Sequence, residues 1–115
     1  MEDRTWQNTP EERLNPLITR RVFHTPNLTI ARIHLAKGAI VPLHHHVSEQ
    51  ISTVESGCLA FRLDGREILL QAGHMLDIPS GLPHEVEALE DSIATDIFSP
   101  RREDWIRGDD AYLRK

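Results

Sequence analysis

Residues 28–98 consist of short β-branched, aliphatic and aromatic runs, each cut off by Gly, Pro or acidic residues. Punctuation at that spacing leaves room for strands of about four to eight residues and none for a long helix. LTIARIHL (28–35) stops before a glycine and puts Thr29, Ala31, Ile33 and Leu35 on one face of a strand. CLAFRLDGREILL (58–70) reads as two strands around Asp64-Gly65, a dipeptide that tolerates the positive φ angles of a tight hairpin. Further strands are predicted at 50–54, 75–78, 84–88 and 92–98. So many short strands at even spacing imply an antiparallel sandwich or barrel. Only SPRREDWIRG (99–108) reads as helical: Ser99 as the cap, Pro100 at the first helical position, Gly108 as a left-handed terminator. The fold class is therefore all-β with a short C-terminal helix.

A chain of 115 residues suits one hydrophobic core. Residues 1–16 are polar, carry two prolines and Trp6, and read as an N-terminal arm whose ordering depends on docking; 17–115 form the barrel domain. Eighteen acidic against thirteen basic residues, a net charge of −5 and no dense Lys/Arg cluster exclude a nucleic-acid binder. The single cysteine, Cys58, cannot form an internal disulfide, and the start MEDRTWQNTPEER is too polar for a signal peptide, so a soluble cytoplasmic protein is expected. No apolar run approaches the roughly 20 residues of a membrane helix.

The chemistry is concentrated in VPLHHHVSEQ (41–50). On a strand, side chains at i and i+2 share a face, so His44 and His46 can lean onto one ion while His45 points away. Gln50 keeps the parity of the two histidines and Glu49 does not. IPSGLPHEVE adds His84 from a distant strand start, placed by a Pro/Gly turn. His24, His34 and His74 carry no such pattern. Arg32 and His34 share a strand face and would line a pocket only if that face were luminal.

Taken together, Gly38-x5-His44-x-His46-x3-Gln50-x6-Gly57 resembles the first cupin motif, and Gly73-x5-Pro79-x-Gly81-x2-His84 resembles the second. The resemblance implies a double-stranded β-helix, or jelly-roll barrel, holding one divalent transition metal on His44, His46, Gln50 and His84. Two positions depart from the pattern: Gln50 stands where a glutamate ligand is usual, and Ala88 where an asparagine is expected. Three neutral imidazoles and an amide oxygen leave the metal its full double positive charge and remove a carboxylate base from its ligands. Imidazole and amide suit Zn, Ni, Fe and Mn alike.

The tail DIFSPRREDW narrows the expectation. Asp96-x-Phe98-x3-Arg102 resembles the pocket signature of the KdgF pectin-degradation cupins. That likeness implies opening of the ring of a 4,5-unsaturated uronate to a linear keto sugar acid. Asp96 would be the acid/base, Arg102 a two-pronged clamp on the carboxylate of a small anionic sugar-like substrate, and Phe98 a face for the sugar ring. The same residues also have structural readings, with Phe98 as core, Asp96 as a strand-end polar residue, and Arg102 as a partner of Glu103 or Asp96. Two other functions are compatible with the motifs, an iron-dependent dioxygenase and a non-catalytic small-ligand binder. A homodimer is expected, with LTIARIHL and the N-terminal arm pairing across a two-fold axis.

Overall fold

The computed structural model describes residues 1–115. Its strands are β1 (Glu12–Asn15), β2 (Ile18–His24), β3 (Thr29–Leu35), β4 (Ile40–His44), β5 (Glu49–Ser56), β6 (Cys58–Leu63), β7 (Arg66–Gln71), β8 (Met75–Ile78), β9 (His84–Ala88) and β10 (Ser92–Ser99). A short helix α1 (Glu103–Arg107) and a 3-10 turn (Ala111–Leu113) follow. The strands form two antiparallel sheets, β1-β2-β3-β10-β5-β8 and β4-β9-β6-β7. Together they make the jelly roll that the sequence implies. No helix is long and apolar enough to cross a membrane.

Strict alternation decides what faces the lumen. On β10, Ser92, Ala94, Asp96 and Phe98 are buried while Ile93, Thr95, Ile97 and Ser99 face outward. β5 turns in Gln50, Ser52 and Val54, and β9 turns in His84, Val86 and Ala88. Leu59, Phe61, Ile78, Ala94 and Phe98 belong to the single apolar core between the sheets.

Turn chemistry fixes the registers. Leu63 pairs with Arg66, so Asp64 and Gly65 form a two-residue hairpin with φ of 52° and 68°, the mirror-image turn that matches strand twist. Gly57 carries the chain from one sheet to the other at φ 88°. A Cβ there would overlap the Asp91 carbonyl and the Ser92 hydroxyl, and Ser92 Oγ accepts from the Cys58 N–H at 3.1 Å.

The structure departs from the sequence reading in three places. β1 lies inside the first sixteen residues, paired with β2. β3 is interior, bonded on both sides by β2 and β10, so LTIARIHL has no free edge for pairing with a second copy. The closing helix begins only at Glu103, with Arg102 at its N-cap; Ser99 ends β10, and Pro100 does not start the helix. The connecting backbone is bonded to the barrel instead: Ser48 Oγ donates to the Pro100 carbonyl at 2.6 Å and the Arg102 N–H donates to Thr29 Oγ1 at 2.9 Å. Gly108 terminates α1 in the left-handed region, as expected.

Candidate metal centre

His44 ends β4 and pairs in register with His84 at the start of β9. His46 lies two residues beyond His44, in the loop before β5, with His45 exposed between them. Coordinating atoms of the three rings lie within 4.8 Å of one another. Each ring is held by a backbone carbonyl two residues away: His44 Nδ1 by Pro42 at 2.7 Å, His46 Nδ1 by Ser48 at 2.8 Å, and His84 Nδ1 by Leu82 at 2.8 Å. A ring nitrogen facing a carbonyl must carry the proton, so Nε2 keeps the lone pair in all three neutral rings.

These rings are neutral near pH 7. Burial pushes His44 down to about 3, and the neighbouring His84 adds to it. Burial, then the charge of Arg102, pushes His46 down to about 4. His84 is lowered by burial first and by Arg102 as well.

The fit to a metal rests on an orphan atom. His84 Nε2 is buried with no hydrogen-bond partner, a costly state for a polar atom unless a ligand uses its lone pair. Gln50 adds an amide oxygen 3.0 Å from His46 Nε2, while its amide nitrogen donates to Ser52 Oγ at 2.8 Å. Two lone pairs that face each other across that gap suit a cation beside them. Three imidazole nitrogens and one amide oxygen therefore fit a divalent transition metal. Glu49 is exposed and lies off this face.

Asp96 and Phe98 point into the same lumen, opposite Ser52 and Gln50 across the β5–β10 ladder. Asp96 is buried and its Oδ1 has no partner. Burial pushes its carboxyl up to about 6, against the pull of the Ser52 hydroxyl and the Arg102 charge. Phe98 meets His46 edge-on at 5.6 Å and Trp105 at 5.1 Å, so it serves the core and the site at once.

Arg102 is only 2% exposed. Its Nε and Nη2 donate to the two carboxylate oxygens of Asp104 at 3.0 and 2.8 Å, and Nη2 also to Tyr112 OH at 2.7 Å. Its partner is thus Asp104 rather than Glu103 or Asp96, and the fork expected to clamp a substrate is already engaged. Only Nη1 meets no acceptor. Arg32 and His34 lie on the outward face of β3, with Arg32 held by Glu55, so neither lines the pocket.

Tyr112 was not legible as a site residue. It sits in the polar tail DDAYLRK, where no spacing pattern marks it. In the fold its ring stacks on His44 at 4.7 Å and its oxygen joins Arg102 to Trp105. His44, Gln50, His84, Asp96, Arg102 and Tyr112 all line one cavity of about 50 Å³, room for a few waters.

The chain has well-defined relatives. Residues 31–98 match the family model described as Cupin domain. The structure of KdgF from Halomonas sp. is 32% identical, with a TM-score of 0.80 over 86% of this chain and 94% of that one. An RmlC-like cupin from Shewanella frigidimarina is 28% identical, with a TM-score of 0.83 over 89% and 93%. Oxalate decarboxylase from Bacillus subtilis, in a structure that addresses its Mn(II) centres, is 25% identical with a TM-score of 0.73, covering 83% of this chain and 28% of that one. No curated protein sequence matches.

Proposed function

The chain belongs to the cupin family, and on that premise we propose that it is a KdgF-like, metal-dependent enzyme that opens the ring of a 4,5-unsaturated uronate to a linear keto sugar acid. The observation that carries this reading is Asp96, a buried carboxyl with an unpartnered oxygen, raised to about 6, in the cavity that His44, His84 and Gln50 line. A carboxyl in that range exchanges protons readily near neutral pH. Similarity to KdgF from Halomonas sp. and the three-His-one-Gln donor set support it.

His44, His46, His84 and Gln50 would hold the metal, which when bound supplies positive charge to polarise substrate oxygens. The Asp96 carboxylate takes the anomeric hydroxyl proton. The carbonyl then forms at that carbon, and its bond to the ring oxygen breaks. Asp96 returns the proton to the alkene carbon as the ring oxygen becomes a ketone, so the reaction is an isomerisation with no net gain or loss. Phe98 gives the sugar an apolar face. Arg102 meets the substrate carboxylate through Nη1 and its charge, since Asp104 occupies the rest of its fork.

The test is metal analysis of the purified protein together with turnover of unsaturated uronates, followed as loss of the alkene ultraviolet absorbance. The expected result is bound divalent metal and a rate well above spontaneous opening. A rate at background with metal bound would overturn the reading, and oxygen uptake with iron would move it to a dioxygenase.

A further inference from the structure

Tyr112 is the only tyrosine in the chain. Its oxygen accepts from Arg102 Nη2 at 2.7 Å and from Trp105 Nε1 at 3.3 Å. A phenol oxygen has two lone pairs and one proton. Both lone pairs are committed to these donors, so hydrogen-bond donation is all that Tyr112 has left to offer. No acceptor within the protein takes it, and the residue lines the cavity shared by His44, His84 and Asp96.

We propose that Tyr112 is a further catalytic residue of this site, donating a hydrogen bond to a substrate oxygen on which negative charge develops. The inference rests on the uronate reading above. When Asp96 has taken the anomeric proton and the carbon–ring-oxygen bond breaks, the bonding pair moves onto the ring oxygen and gives an enolate. The Tyr112 O–H donates to that oxygen without transferring its proton. The enolate then collapses to the ketone as its alkene carbon takes the proton back from Asp96. The Arg102 guanidinium behind the phenol polarises the O–H and strengthens the donation.

Tyr112 also borders the little space the site has: the cavity holds a few waters, and the ring stacked on His44 is one of its walls. The C-terminal turn is then part of the active site as well as a cover for the barrel.

The experiment uses the metal-loaded full chain and two ligands, the unsaturated uronate for turnover and galacturonate, which lacks the alkene, for binding. Tyr112→Phe keeps the ring on His44 and removes only the hydroxyl. Its kcat is expected to fall by about a hundredfold, with metal content unchanged and galacturonate affinity lowered by about tenfold. In the wild type, galacturonate should produce a near-ultraviolet tyrosine difference band. That band belongs to Tyr112 alone and is absent from the variant.

Full turnover in Tyr112→Phe would overturn the inference while leaving ring opening intact. A slow variant with no tyrosine band from the liganded wild type would overturn it too, reducing Tyr112 to a support for Arg102. Wild type that shows the band without turnover would sink ring opening and the catalytic role with it, leaving Tyr112 a ligand contact only. Turnover in wild type with no galacturonate binding would overturn the inference and leave ring opening intact.

Discussion

The two walls of the cavity are built in opposite ways. On the histidine wall each imidazole is fixed by a carbonyl two residues away, a contact settled by the local chain. On the C-terminal wall, side chains from opposite ends of the sequence hold one another. Arg20 and Arg102 both lie 4.3 Å from the Trp105 indole. Arg20 Nη2 donates to Asp110 at 2.8 Å, Arg114 donates to the same carboxylate, and Arg102 reaches Tyr112. Backbone-held ligands are prepared independently of one another. A side-chain lattice is cooperative, so loss of one member loosens several.

The largest expected effect tests the independence of the first wall. His84→Ala removes the orphan ring nitrogen, and metal affinity should fall by more than the roughly hundredfold seen when mere supporting partners are lost. Far-ultraviolet circular dichroism and the packing around Trp105 should be unchanged. Metal titration with tryptophan fluorescence checks both, and a disturbed Trp105 signal would show that the walls are coupled. Asp96→Asn comes next: shape and metal are kept, the proton-transfer group is gone, and turnover should fall by about a hundredfold or more.

How far the sequence could be read follows the same division. The spacing of His44, His46 and Gln50, with Gly and Pro at motif spacing around His84, marks all four donors, although strand parity covers only part of it: His46 lies in the loop after β4 and Gln50 comes from the opposite sheet. The Asp64-Gly65 hairpin and the inward set on β3 were legible because turn and strand geometry are local. The C-terminal wall was not. Arg20 sits on an inward position of β2, where an apolar residue is expected, and becomes intelligible only through Asp110, ninety residues away. Ser99-Pro100 has helix-start chemistry, yet Ser48 and Thr29 bind this stretch of backbone and delay the helix to Glu103. The engagement of Arg102 by Asp104, and the place of Tyr112, depend on that delayed start.

Asp110→Asn tests the second wall. Arg20 is buried, and losing its main counter-charge should lower stability by about 2 kcal/mol, less than a fully isolated buried pair because Glu12 still accepts from Arg20 at 3.0 Å. Urea unfolding measures it. Replacing both partners, as Arg20→Met with Asp110→Leu, should recover most of the loss. No recovery would mean that the Arg20–Trp105 stack matters more than the ion pair. Arg102→Lys is milder: charge stays, the planar fork is lost, and substrate binding should weaken by about tenfold with metal retained.

The smallest effect separates the walls by pH in the metal-free protein. His44 and His46 are held far below the ordinary 6.5, so as pH falls the unfolded chain takes up protons before the folded one. Stability from this wall is therefore present above pH 6.5 and declines from there toward about 3. Asp96 acts in the opposite sense: its raised carboxyl is protonated first in the folded state, which offsets part of the decline below about 6. The Asp110 carboxyl would be raised by burial alone, but Arg114 and Arg20 hold it below the ordinary 3.8. Its contribution is intact above 3.8 and is lost only as pH falls through the lower folded value. Between pH 6.5 and 4 the decline thus belongs chiefly to the histidine wall, with a share from His24 on β2, which burial and the charge of Arg101 also lower. His44→Gln should flatten the stability profile in that window, whereas Asp110→Asn should shift it down without changing its slope. Equal slopes in His44→Gln and wild type would show that the imidazoles are not held neutral by burial, and the contrast between the walls would fail on its electrostatic side.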